Sequence, residues 1–84
     1  MPRKVSSIKP ENRAVGALLR EIREQRGLTL EKLADYTGIR PVTLRQYESG
    51  MRSPGYENIK RLVQGLGISG VVLFRKIWER ISAL

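Results

Sequence analysis

Apolar residues recur along most of the chain at three- and four-residue spacings, the pattern of amphipathic helices, and no stretch alternates as a strand does. A first helix is predicted from about Asn12 or Arg13 to Arg26. Its apolar stripe consists of Val15, Leu19 and Ile22, with Leu18 at the edge. The preceding segment, residues 1–12, is polar and contains two prolines, so we expect a flexible basic arm.

The run from Gly27 to Gly50 predicts two short helices joined by a tight turn. Thr29 can cap the first of them, and Gly38 suits the left-handed conformation that closes it. Pro41 stands where the second helix begins, a position at which its missing N–H costs nothing. The inward residues of the pair are predicted to be Leu30, Leu33, Ala34, Leu44 and Tyr47. Two helices across a short turn that contains glycine form a helix-turn-helix unit.

Two further helices follow a loop at residues 51–55 that contains Ser-Pro-Gly. The fourth is predicted from about Tyr56 to Leu66, and Gly67 closes it in the left-handed conformation. Its inward residues would be Ile59, Leu62, Val63 and Leu66. Ser69 can cap a fifth helix, which spans about 69–83.

These residues resemble the phage repressor, Cro and Xre family of helix-turn-helix transcription regulators. The resemblance covers about 15–74 and includes Arg23, the Glu48-Ser-Gly sequence and the glycines at 38, 50 and 67. It implies an all-α, compact five-helix bundle of the lambda-repressor-like DNA-binding type, in which helices 2 and 3 form the helix-turn-helix. Residues 13–84 would then form one DNA-binding domain.

The charge of the chain agrees with a polyanionic partner. The formal net charge is +8, from 16 basic and 8 acidic residues. Residues 27–49 hold three of each sign, whereas residues 1–26 hold seven basic and three acidic residues. The unit expected to read bases is therefore neutral, and the flanking segments supply the attraction to phosphates. The alternative is that these basic residues only solvate the surface.

The composition also excludes several functions. The chain has no cysteine or histidine, no phosphate-binding glycine loop and no cluster of metal ligands, so we expect neither an enzyme nor a cofactor or metal site. No apolar run is long enough to span a bilayer. We expect a cytoplasmic protein, bacterial or phage-encoded, that acts at the nucleoid.

The resemblance assigns the base-facing positions of the recognition helix, about 41–49, to Pro41, Val42, Arg45 and Gln46. Gln46 can bond adenine N6 and N7, Arg45 can bond guanine or a phosphate, and Val42 can contact a thymine methyl. The alternative is that Arg45 and Gln46 are ordinary solvated residues.

Further residues are candidates for the DNA backbone. The candidate phosphate contacts are Thr29, Arg40, Thr43 and Arg52, and those for the minor groove are Arg3 and Lys4. The alternatives are that Thr29 serves only as a helix cap and that Arg52 is an ordinary surface arginine.

Three positions depart from the family pattern. Arg40 stands where a Ser or Thr usually caps the recognition helix, Pro41 replaces a polar base contact, and Leu30 replaces a polar phosphate contact. These departures affect the expected operator sequence rather than binding itself. The resemblance also implies that Arg23 and Glu48 form a partly buried ion pair between helices one and three.

An apolar stripe continues beyond the resemblance, through Ile77, Trp78, Ile81 and Leu84. Ile77, Trp78 and Ile81 can form a two-fold dimer contact or bind another protein, or Trp78 can close the monomer core over Leu18. The leading hypothesis is a homodimeric, sequence-specific binder of double-stranded DNA, a transcriptional regulator with repression preferred over activation. The alternative is an antitoxin or adaptor-type interaction module that uses the apolar C-terminal helix.

Overall fold

Five α-helices and no strand make up the part of the chain that the computed structural model describes, residues 8–84. The helices are α1 (Pro10–Gln25), α2 (Leu30–Thr37), α3 (Pro41–Ser49), α4 (Tyr56–Leu66) and α5 (Gly70–Ser82). The predicted all-α, five-helix architecture is confirmed. Arg3 and Lys4, the candidate minor-groove contacts, lie outside the described residues.

The core lies where α1 packs against α3 and α5, and where α2 packs against α3 and α4. Its buried apolar side chains are Leu18, Leu19, Ile22, Leu33, Ile39, Leu44, Tyr47, Leu62, Leu66, Ile68 and Leu73. Leu18 was predicted at the edge of the stripe but is only 3% exposed, while Val15 is partly exposed. The prediction was wrong here because α1 contacts two helices at once, so its buried face is wider than a single stripe.

Local sequence signals account for the helix ends. The Thr29 hydroxyl accepts a hydrogen bond from the Lys32 N–H at 3.0 Å, which caps α2 as predicted. Gly38 and Gly50 close α2 and α3 at φ values of 73° and 84°, which residues with a Cβ rarely adopt. The start of α1 was predicted two or three residues late, because Pro10 occupies the first helical position rather than belonging to the arm.

The C-terminal helix α5 is held on α1. The Arg80 guanidinium donates two hydrogen bonds to the Glu21 carboxylate, at 2.6 and 3.1 Å. These bonds are the main cause that lowers the pKa of Glu21 below its ordinary value. Ile77 packs against the core, but Trp78 remains 59% exposed. Trp78 therefore does not close the monomer core over Leu18, which was one of its predicted uses.

Candidate nucleic-acid interface

The helix-turn-helix unit consists of α2, the turn at residues 38–40 and α3. Ile39 in the turn is buried, and its N–H donates to the Thr37 hydroxyl at 3.1 Å. Thr37 is itself buried and donates to the Leu33 carbonyl at 2.8 Å. The turn is thus fixed by a buried polar side chain at its start and an apolar side chain at its centre, and this fixes the direction in which α3 leaves it.

The recognition helix α3 has one buried and one outward face. Leu44 and Tyr47 point inward and are almost completely buried. The predicted base contacts lie on the other side, where Val42 and Arg45 are exposed and Pro41 and Gln46 are partly exposed. Spacings of three and four residues share a helix face, so Val42 lies beside Arg45 and Gln46, and Pro41 lies beside Arg45. The described chain leaves Val42 and Arg45 open to solvent.

The first turn of α3 departs from the usual capping arrangement, as the sequence predicts. Arg40 precedes the helix in an extended conformation and makes no side-chain cap, while Pro41 occupies the first helical position. The N–H groups at this end of α3 are therefore available to an acceptor such as a phosphate oxygen. Thr43, in the same turn, is half-buried.

The remaining predicted phosphate contacts lie at the edges of this unit. Thr29 begins α2, and its hydroxyl is engaged as the helix cap. Arg52 lies in the loop after α3 and is exposed, with its Nη1 at 3.5 Å from the Gln46 Oε1. The structure therefore brings Arg52 to the outward face of α3, which sequence spacing alone did not indicate.

The predicted ion pair between α1 and α3 is present. Arg23 Nε donates to Glu48 Oε2 at 2.7 Å, Nη2 donates to Glu48 Oε1 at 3.0 Å, and Nη1 donates to the Leu28 carbonyl at 2.8 Å. The Arg23 and Glu48 side chains are only 12% and 11% exposed. The hydrogen bonds that Arg23 donates to Glu48 are the main cause that raises the pKa of Arg23, which therefore stays charged.

A second hydrogen bond that holds α3 was not predicted from the sequence. The Asn58 amide nitrogen donates to the Tyr47 hydroxyl at 2.7 Å, which connects the inner face of α3 to α4. The sequence pattern of α4 predicts only apolar inward residues and Asn58 is polar, so no local signal indicated this bond. Together with Arg23, it holds α3 from two sides and keeps its outward face in a fixed orientation.

An apolar surface lies between α4 and α5, away from the recognition helix. It forms a groove of about 280 Å³ lined by Tyr56, Ile59, Val63, Gly70, Leu73, Phe74 and Ile77. Tyr56 is 96% exposed, Phe74 is 70% exposed and Val71 beside them is also exposed. We call this set, together with Trp78, the α4–α5 face. Of the C-terminal candidates, Trp78 is exposed, while Ile77 and Ile81 are half-buried.

Residues 8–84 show neither a metal-ligand cluster nor a membrane-spanning helix. Residues 8–84 contain no group of three carboxylate, histidine or cysteine side chains placed to hold a metal ion. Within the same range, none of the helices combines the length and hydropathy that crossing a membrane requires.

Comparison with known proteins identifies the family. The helix-turn-helix family HTH_3 matches residues 19–73, which contain all of α2, α3 and α4. A search of curated proteins found none that matches this chain.

Several solved structures share the fold. The restriction-modification controller protein C.AhdI from Aeromonas hydrophila is 32% identical, with a TM-score of 0.75 over 79% of this chain and 100% of that one. The clp gene regulator ClgR from C. glutamicum is 28% identical, with a TM-score of 0.74 over 82% and 90%. The wild-type controller C.Esp1396I superposes with a TM-score of 0.81 over 90% and 99%, and at 22% identity it supports the fold alone. The chain belongs to the phage repressor, Cro and Xre family of helix-turn-helix, DNA-binding transcription regulators.

Proposed function

We propose that this regulator reads double-stranded DNA with the outward face of α3 in the major groove, as a homodimer that represses transcription. The observation that carries the proposal is the outward face itself. It presents a valine, an arginine and a glutamine on one side of the helix. The opposite side is held by the hydrogen bonds from Arg23 to Glu48 and from Asn58 to Tyr47. A rigid helix whose open face carries an arginine and a glutamine fits the major groove.

Each outward residue has a defined chemistry toward bases. Arg45 is exposed and can donate two hydrogen bonds to guanine O6 and N7 or to a phosphate. Gln46 offers an amide donor and acceptor, and Val42, with Pro41 beside it, can contact a thymine methyl. A good bidentate contact contributes about 1–3 kcal/mol of discrimination between bases. Because Pro41 and Val42 are apolar, hydrogen-bonded readout would rest on two residues.

Affinity would come mainly from the surroundings of α3. The helix-turn-helix is neutral, whereas the chain as a whole carries +8. Arg40 and Arg52 border the outward face at its two ends and would contact phosphates, with Thr29 and Thr43 as weaker contacts. Each neutralised phosphate releases counterions, so binding should weaken steeply as salt rises.

The α4–α5 face would join two copies. Exposed Tyr56 and Phe74 line an apolar groove, and exposed Trp78 follows Phe74 one turn later on α5. A large exposed apolar surface is unusual on a monomer. No residue of α3 lines that groove, so pairing through it leaves the outward face of α3 open. A two-fold dimer would present two recognition helices to successive major grooves, about 34 Å apart. Residues 69–83 would then serve dimerisation within a single DNA-binding domain, residues 13–84.

Repression is the simpler consequence of such binding. A dimer that covers a promoter blocks polymerase without any additional contact, whereas activation needs a surface that recruits it. Relatives from Aeromonas hydrophila and C. glutamicum support a bacterial or phage-encoded protein that acts on DNA in the cytoplasm. The proposal contains no catalytic step and no cofactor.

Selection of bound sequences from random DNA tests the readout. We expect a two-fold symmetric motif with half-sites about 10 base pairs apart. With Arg45→Ala, one position in each half-site should lose its preference. The matched control is Arg75→Ala, which removes the same charge from α5 and should leave the motif unchanged. A motif that Arg45→Ala leaves intact would exclude Arg45 as a base contact.

Size-exclusion chromatography with light scattering tests the dimer. We expect twice the monomer mass for the wild type and a monomer for Phe74→Ser, since this change removes an exposed ring from the groove. The matched control is Lys76→Ser, two residues along the same helix, which should remain dimeric. A monomeric wild type would overturn the homodimer and leave the α4–α5 face to a different protein, as in the antitoxin or adaptor alternative.

A further inference from the structure

The loop after α3 folds back onto Gln46. Gly50 reverses the chain at a φ of 84°, and the main-chain N–H groups of Met51 and Arg52 both donate to the Gln46 carbonyl, at 3.0 and 3.3 Å. The Ser49 hydroxyl donates to the same carbonyl at 3.1 Å. The backbone position of Arg52 relative to Gln46 is therefore set by main-chain hydrogen bonds rather than by the two side chains.

The side chains of Arg52 and Gln46 meet above this turn. Arg52 Nη1 donates to Gln46 Oε1 at 3.5 Å. A guanidinium carries only donors, so the oxygen of the amide, and not its NH₂ group, faces Arg52. Because the bond is long and solvent-exposed, it favours one orientation of the Gln46 amide rather than fixing it. Gln46 is half-buried, which restricts the other rotamers that its amide can reach.

We propose that Arg52 is a specificity-determining residue, which orients the Gln46 amide so that position 46 prefers a base acceptor over adenine. This inference rests on the proposed function. A glutamine reads adenine by accepting from N6 with its oxygen while it donates to N7 with its nitrogen. Arg52 engages one of the two lone pairs of that oxygen and holds the oxygen toward the loop, so the NH₂ group is the part of the amide that is turned away from Arg52.

In this orientation the amide presents its NH₂ donors away from Arg52. The NH₂ group of Gln46 matches base edges that carry acceptors. In the major groove guanine carries two acceptors, N7 and O6, and thymine carries O4, whereas adenine places its N6 donor beside its single acceptor, N7. The same glutamine without Arg52 would recover adenine as its best partner. The base read by Gln46 is thus set by a residue six positions away, outside the recognition helix.

Selection from random DNA with four proteins tests this inference: wild type, Gln46→Ala, Arg52→Ala and Arg61→Ala. The position that loses its preference in Gln46→Ala is the one that Gln46 reads, and in the wild type it should be guanine or thymine. In Arg52→Ala, adenine should gain about two- to threefold there relative to the wild-type base, because a long, exposed hydrogen bond to the amide oxygen is released. Arg61→Ala removes the same charge from α4 and should leave that position unchanged.

Several results would overturn the inference. If Arg52→Ala lowers affinity uniformly while the position read by Gln46 keeps its preference, Arg52 is a phosphate contact only. Adenine at that position in the wild type, or no position affected by Gln46→Ala, contradicts it as well. A wild type that enriches no motif at all overturns the proposed function together with this inference, so the two failures are distinguishable.

Discussion

Removal of the Glu48 carboxylate is expected to destabilise the fold strongly. In Glu48→Ala, the Arg23 guanidinium loses two short hydrogen bonds and keeps one, to the Leu28 carbonyl. The Arg23 side chain is only 12% exposed, so water replaces the lost carboxylate poorly. The charge would remain partly buried without a counterion, which is the costly outcome when an ion pair is broken from one side.

The expected magnitude follows from this burial. Breaking a buried pair costs about 3–5 kcal/mol, and the residual exposure of this pair puts the change near the lower end, at about 3 kcal/mol. A domain of this size loses roughly 4–8 °C in Tm per kcal/mol, so the midpoint should fall by about 12–24 °C. Natural domains are stable by only about 5–15 kcal/mol, so a large share of the stability would be lost.

Thermal and urea denaturation followed by far-UV circular dichroism measure this change. The control is Glu24→Ala, which removes an exposed carboxylate paired with Arg20 four residues away on the same helix. That pair should contribute only about 0.5 kcal/mol or less. If the free energy of unfolding of Glu48→Ala lies within about 1 kcal/mol of that of Glu24→Ala, the ion pair does not hold α3 in place.

Three further changes test other parts of the structure. Gly16→Ala should destabilise the fold by about 1–3 kcal/mol in urea denaturation, because its Cβ would lie 2.6 Å from the Glu48 carbonyl oxygen; an unchanged midpoint contradicts the close approach of α1 and α3. Thr29→Ala should cost about 1 kcal/mol through loss of the α2 cap, and Thr29→Ser should restore most of it. The pKa of Glu21 is lowered by Arg80, so the stability it contributes is present above its ordinary pKa of 4.5 and is lost as the pH falls through its folded value. The Tm difference between wild type and Glu21→Gln should therefore shrink in acid, and a difference independent of pH would exclude that ion pair.

The helices could be predicted from the sequence because their signals are local. Gly38, Gly50 and Gly67 each end a helix where predicted, and Thr29 and Ser69 cap the helices that follow them. These effects depend on residues within one turn of each other, so a sequence contains them directly. The Arg23–Glu48 pair, in contrast, joins residues 25 positions apart and was predicted only through the family resemblance.

Contacts made by packing could not be predicted in the same way. The Leu18 side chain is buried because α1 contacts both α3 and α5, and a helix pattern does not indicate how many neighbours a helix has. The bond between Asn58 and Tyr47 and the contact between Arg52 and Gln46 depend on the same tertiary arrangement. The sequence also pointed to Ile77, Trp78 and Ile81 for association, whereas Tyr56 and Phe74 are the more exposed residues of the α4–α5 face.

The central claim is that the outward face of α3 enters the major groove of DNA. Methylation protection with dimethyl sulfate on a selected site tests it most directly, because this reagent modifies guanine N7 in the major groove and adenine N3 in the minor groove. We expect protected guanine N7 atoms in two patches about 10 base pairs apart, with the protection lost in Arg45→Ala. Protection of adenine N3 alone, or of no base at all in a formed complex, would contradict the claim.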